Sequence, residues 1–497
     1  MSYSIIKQCR PAYFLVILTT GLLASCTVGP NYQRPEVPKT NTYTREPLFS
    51  DQSLLAGVAP QQLLLGQEIE RQWWTAFGSS ELNALVDQAL KNNPNIEAAQ
   101  AALRQAQENS AAQFGAYFPT MQLAYSPSRQ KNPVATISPT LSSGAPIYTL
   151  HTTQLSVSYA PDVFGLNRRT LESLQAQSDA QYFQLQATYL TLASNVVSAA
   201  IQEAALRAQI EATQAIIQAQ TQLLKTLHQQ AVLGAASGID VATQETILAQ
   251  TQQTLPPLNK QLQQTRDLIA VLAGKLPTDS LTSRSGLQSQ LELQNLVLPH
   301  ELPLSLPSTL VDHRPDIRIA EQQVHAASAL VGVALANRLP QFSISAIDGG
   351  TSTRFGQMFD NGNTFWGLTG NAVGTIFDFG TLKHRQKAAE AALQQAIAQY
   401  HAVVLLAFQN VADSLYALDA DTQALNSAIV SEQASSKLLD ISQKQLAAGA
   451  INSATLLNAQ VAYQQAKVAR IQAQAMRLMD TAALFQSLGG SWQNQSI

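Results

Sequence analysis

Charge is scarce in this chain. Charged residues are 13% of 497, against about 25% in an ordinary soluble domain. The net charge is −3 and no run of Lys or Arg occurs, which argues against a nucleic-acid surface. Cysteine is nearly missing: Cys9 and Cys26 are the two. Past the first 26 residues no apolar run reaches 18, and Val403–Phe408 is the densest stretch. A membrane-crossing helix is therefore not expected, and any crossing must be a closed β-barrel, because unpaired backbone is too costly in lipid. His151, His228, His300, His313, His325, His384 and His401 make no i, i+4 pair of the zinc-helix kind. Glycine and proline are missing from two long stretches, 166–233 and 381–448.

Those two stretches organise the chain. Gly165 and Gly234 bracket the first, Gly380 and Gly449 the second, with an offset of 215 at both ends. Both are rich in Ala, Gln and Leu, good to moderate helix formers. Each predicts an unbroken helix of roughly 100 Å at about 1.5 Å per residue, which suits a tube, a spacer or a coiled coil better than a globular core.

The start of the chain reads as an export signal, residues 1–25. Lys7 and Arg10 precede an apolar run from Ala12 to Leu23, and Leu23-Ala24-Ser25-Cys26 follows. The small residues before Cys26 resemble a bacterial lipobox, in which the cysteine becomes the acylated N-terminus. Thr27 rather than Asp follows, which by the same resemblance favours the outer membrane. If Cys9 leaves with the signal, one cysteine remains and no internal disulfide can form.

Residues 26–78 are punctuated by Pro30, Pro35, Pro38, Pro47 and Pro60 and read as an extended, lipid-anchored linker. A first repeat is expected over 79–275. It holds a short helix, a second helix opened by Asn93-Pro94, a β-hairpin at about 119–164, the long helix 166–233, and a return helix 239–274 that Pro256-Pro257 should break. The hairpin rests on alternation: Met121, Leu123 and Tyr125, then Leu155, Val157 and Tyr159, with strands of roughly 8–10 residues. A connector, 276–303, leads into a second repeat over 304–490. Its parts are Arg314-Pro315-Asp316 as a helix start, a hairpin at about 340–379, the long helix 381–448 and a return helix 450–488. A tail, 491–497, follows. Duplication is the strongest architectural fact. Asp378-Phe379-Gly380 spells a kinase metal motif, yet it lies where a strand meets a long helix, so Gly165 and Gly380 read as hinges. Trp366 reads as a lipid-interface anchor. No catalytic constellation, metal site or cofactor motif is present.

Four strands cannot close a barrel, so several copies must join; two would give eight strands and three would give twelve. A surface-anchored coiled coil needs sustained heptads without amphipathic strands, and a lipid-anchored enzyme needs a polar site. The strand alternation and the missing constellation speak against both.

Together, Cys26–Pro35, Trp73-Trp74, Leu85–Ile96, Arg314–Ile317 with Ala320-Glu321, Phe379-Gly380, Gly449 and Leu488-Gly489-Gly490 resemble the outer-membrane efflux proteins of the TolC/OprM type, in the lipoprotein branch that serves resistance-nodulation-division pumps. The resemblance implies an α+β membrane protein. It would be a homotrimer with a twelve-stranded β-barrel, continued by a long periplasmic α-helical barrel, in the cell outer membrane. Partners would be a periplasmic adaptor, an inner-membrane pump, and outer-membrane lipid through acylated Cys26. Nucleic acid is not among the partners. The implied function is a passive exit duct for drugs or other toxic small solutes, with type I protein secretion or heavy-metal efflux as alternatives. The turns at Gly234 and Gly449 match the family's periplasmic aperture. Asp240 matches an acidic position there; Thr455 and Asn458 stand where the family often has Asp. A plain helix-cap role for Asp240 is the competing reading.

Overall fold

The computed structural model describes residues 27–37, 40, 42–45, 61–67, 69–131, 147–278 and 291–490. Cys26, the signal region, the tip of the first hairpin and the tail 491–497 lie outside them. In chain order the elements are β1 (Gln62–Leu65), α1 (Ser80–Asn92), α2 (Pro94–Phe114), β2 (Thr120–Lys131), β3 (Ile147–Tyr159), α3 (Leu166–Val232) and α4 (Gly238–Leu272). They continue with β4 (Glu301–Leu304), α5 (Pro307–His313), α6 (Pro315–Ala336), β5 (Gln341–Ser352), β6 (Thr364–Val373), α7 (Thr381–Ala447) and α8 (Ser453–Ser487).

The chain packs as two compact units that cut across the sequence repeats. Of the described residues, the first combines 27–35, 103–131, 147–181 and 320–400. Its centre is a four-stranded sheet in the order β2-β3-β5-β6, antiparallel throughout. The strands have 12, 13, 12 and 10 residues, the first three longer than the alternation alone predicts. Pro127 lies inside β2 without ending it; β2 is an edge strand, where a missing N–H need cost no ladder bond. The register puts Met121, Leu123, Leu155, Val157, Ile344, Ala346, Trp366 and Leu368 on one face, with Gln122, Ser156, Ser158, Ser345 and Thr369 on the other. The apolar face is open: Trp366 is 80% exposed. Asp348 is its charged exception, standing between Leu155 and Trp366.

The second unit combines, among the described residues, those within 36–102, 182–278, 291–319 and 401–490. Here residues 26–78 depart from the expected linker. β1 pairs in parallel with β4, Gln62 opposite Glu301 and Leu65 opposite Leu304, so the presumed connector 276–303 supplies a strand too. Proline spacing misled both readings. It marks where a helix cannot run, but a short strand needs only a partner, and here the partner lies about 240 residues away. Trp73, Trp74 and Phe77 are buried against α8, with Trp73 stacked on Phe485 at 5.4 Å.

Pro256 and Pro257 do not break α4, which is helical from Gly238 to Leu272. An internal proline costs about 3 kcal/mol or more. The flanking Leu255 and Leu258 pack on Leu206, Ile210 and Leu262, and this burial offsets the lost backbone bonds. The long helices carry many hydroxyls, and these fold back on their own turns: Thr188 to Gln184 O, Thr213 to Gln209 O, Thr422 to Leu418 O. These hydroxyls are thus satisfied within their own helix and need no distant partner.

Candidate functional site

The two helix–helix turns are built alike. After α3, Gly234 has φ +76°, its N–H donates to Ala231 O at 3.0 Å, and Ala235 N–H donates to Gln230 O at 2.8 Å. After α7, Gly449 has φ +70°, with matching bonds to Leu446 O and Gln445 O at 3.0 and 2.8 Å. This is the left-handed helix ending for which glycine is favoured. At neither position would an added Cβ meet an atom within 4 Å. Gly234→Ala and Gly449→Ala are therefore expected to cost only the backbone term, about 1–2 kcal/mol each. Thermal melts of the purified protein check this; a loss well above that range would mean that the turn is packed.

Each return helix is then capped from the same offset. Ser237 is the N-cap of α4: its Oγ accepts Asp240 N–H at 3.2 Å, while Asp240 Oδ2 accepts Ser237 N–H at 3.0 Å and Ser237 Oγ–H at 2.8 Å. Asp240 is thus the third helical residue of a capping box, and the cap itself is Ser237. The Ser237 hydrogen bonds hold its carboxyl below the usual aspartate value. In α8, Asn452 takes the place of Ser237 and accepts from Thr455 N–H and Oγ–H at 3.0 and 2.8 Å. Thr455 replaces Asp240 in the same fold position without its charge. Asn458 is exposed one turn further on.

At the strand–helix junctions Gly165 and Gly380 have φ +80° and +87°. Each junction is capped by an aspartate. Asp162 accepts Asn167 and Arg168 N–H, both at 2.9 Å. Asp378 accepts Gly380 N–H at 2.9 Å and Leu382 N–H at 2.8 Å. Phe379, between them, is the one non-glycine with positive φ among the described residues. The Asp-Phe-Gly triplet is a helix start.

Sequence reasoning did not find what holds the leader 27–35 in the first unit. Arg169, on α3, donates to Val28 O, Gly29 O and Asn31 Oδ1 at 3.2, 3.3 and 2.9 Å, and pairs with Glu172 at 2.7 Å. A Cβ on Gly29 would land on Gly332 Cα, and one on Gly165 would lie 2.7 Å from Thr27 Cγ2. Tyr32 stacks on His325 at 4.3 Å, and Arg34 pairs with Glu321 at 3.4 Å. Arg314 is likewise more than a helix start. Buried, it donates to Ser487 O at 2.6 Å and to Ala407 O at 3.4 Å, and forms a bidentate pair with Asp316.

The family model "Outer membrane efflux protein" matches residues 85–275 and 306–490. The pyoverdine export outer membrane protein OpmQ of Pseudomonas putida is 29% identical over 429 residues, 86% of this chain and 89% of that one. The probable efflux pump outer membrane protein TtgC of the same species is 27% identical over 485 residues, 96% and 95% of the two chains. Among solved structures, the outer-membrane channel OprN superposes with a TM-score of 0.81 at 27% identity, over 94% of this chain and all of that one. The Campylobacter jejuni CmeC channel, at 20% identity, shares the fold with a TM-score of 0.82 over 95% and 96%. The match covers both halves of the duplication: the chain belongs to the outer membrane efflux protein family, and it is an outer-membrane exit duct for efflux, not an enzyme.

Proposed function

We propose that three copies of this chain close a twelve-stranded barrel, anchored through acylated Cys26 and fed by a periplasmic adaptor and a resistance-nodulation-division pump. One observation carries the reading. Among the described residues the sheet is open: β2 and β6 are its edges, and its apolar face is exposed. Bare edges invite further strands, and about eight are needed to close a barrel. The number three comes from the family resemblance. The exposed Leu405 and Leu406 of α7 suit a helix face covered by a neighbouring copy. At the first turn Val232 is 87% exposed, with Leu233 and Ile239 also open to solvent; an apolar turn of this kind supports docking of an adaptor. Asp240, Thr455 and Asn458 would line the aperture. The carboxylates of three converging Asp240 residues would repel one another and attract cations.

The cargo proposed is a drug or another toxic small solute, selected by the pump. A siderophore-type chelate is the second reading, favoured by the likeness to OpmQ. Native mass spectrometry in mild detergent is expected to give a trimer, and planar-bilayer recordings to show ion conduction that rises in Asp240→Ala. A stable single polypeptide, or a trimer that stays silent even as Asp240→Ala, would sink the duct assembly. Accumulation assays with a deletion strain separate the two cargoes.

A further inference from the structure

The clamp that holds the leader leaves a cavity beside it. Its volume is about 500 Å³, and Thr27, Tyr117, Arg168, Arg169, Glu172 and Gln175 are among its walls. Hydrogen-bond donors dominate. Arg168 is exposed, and its guanidinium makes one hydrogen bond among the described residues, to Thr27 Oγ1 at 3.4 Å. Burial, with Asp162 nearby, pushes the Tyr117 hydroxyl above its ordinary ionisation range, so it keeps its proton at neutral pH. The one lining acid, Glu172, is already spent on Arg169 at 2.7 Å and His325 at 3.2 Å. Both carboxylate oxygens of Asp162 accept backbone N–H from α3. Asp162 keeps its negative charge whatever its oxygens accept, so Arg168 and Arg169 are balanced by Glu172 and Asp162. The donor left for a ligand is the Arg168 guanidinium, with a hydroxyl and an amide beside it. A guanidinium of this kind matches a phosphate through paired charge-assisted bonds.

We infer that this cavity binds a phosphate group, and that its source is the headgroup of a membrane phospholipid. The depth argues for lipid over free phosphate. Tyr117 precedes the first residue of β2 by three positions, so the cavity lies where a barrel strand gives way to helix. Thr27, in its wall, directly follows Cys26. The inference rests on the membrane placement proposed above. A headgroup seated here would hold the start of the leader and the head of α3 at the boundary of the bilayer.

The test uses the mature full chain, purified and delipidated in detergent, and titrated with phosphatidylglycerol, with diacylglycerol of the same chains, and with inorganic phosphate. Phosphatidylglycerol is expected to bind, and Arg168→Gln to weaken it about tenfold or more, as loss of a charge-assisted pair requires. Arg168→Lys should retain part of the affinity, while diacylglycerol should not saturate. Equal affinity of Arg168→Gln and the natural protein overturns the site, as does diacylglycerol binding as tightly as phosphatidylglycerol. Inorganic phosphate binding as tightly as the lipid overturns the lipid source. Should Arg168→Gln fail to assemble, Tyr117→Phe is expected to show a smaller loss, of about two- to tenfold, and unchanged affinity there overturns the site. A Cys26→Ser protein separates this from the anchor: unacylated, it should still bind phosphatidylglycerol through Arg168. Finding no acyl chain on natural Cys26 would sink the anchor alone.

Discussion

Trp73→Ala is expected to lower stability by about 3–5 kcal/mol, the cost of emptying a buried indole site. Trp73 is 2% exposed and wedged between Trp74, Phe77 and Phe485, with ring centres 5.9, 6.3 and 5.4 Å away. The site cannot collapse easily, because two of its walls belong to the same short turn and the third to α8. Aromatic pairs add about 0.5–1.5 kcal/mol beyond burial. The indole Nε1 makes no hydrogen bond among the described residues, so the ring acts through shape alone. Trp73→Phe should then cost less than about 1.5 kcal/mol, as near-conservative swaps do. Thermal or denaturant melts of the two variants decide the matter. If Trp73→Ala costs under about 1 kcal/mol, or Trp73→Phe costs as much as Trp73→Ala, the packing account fails.

The second large effect concerns pH. Asp421 of α7 is driven up to about 7, first by burial, then by the neighbouring carboxyl of Asp480 on α8, against the pull of Arg477. Arg477 is fully buried and spends Nε and Nη2 on Gln61 Oε1 at 3.2 and 3.0 Å. The sign follows from the proton count. The folded state keeps the Asp421 proton where the unfolded chain, near 3.8, has lost it. The stabilisation is complete below the unfolded value and disappears as pH rises through about 7. Melting temperature should fall across roughly pH 4–7 and level off above that. Asp421→Asn should flatten that slope and be the more stable protein at the alkaline end. Parallel curves for the two proteins would rule out the shared carboxyl site.

Much of the architecture was legible because it obeys local rules. The long helices announce themselves by where glycine and proline are missing. The turns at Gly234 and Gly449 follow from a left-handed backbone that glycine adopts at least cost, and the strands from a period of two at 121–125 and 155–159. Asp240 was placed correctly at a helix start but one role off, because a capping box is shared by two residues and only the geometry says that Ser237 is the cap. Pro256-Pro257 was misread for a different reason: the rule about prolines is local, while Leu255 and Leu258 draw their stabilisation from α3.

The sequence by itself determined the duplicated unit and the amphipathic hairpins, since each depends on spacing along the chain. Only the tertiary structure decided that the leader is clamped by Arg169, that β1 pairs with β4, and that Arg314 and Arg477 are buried. Those outcomes depend on partners between about 90 and 420 residues away, Ala407 for Arg314 and Gln61 for Arg477 among them. The worth of a buried charge is set by which atoms surround it, and that environment exists only once the chain has folded.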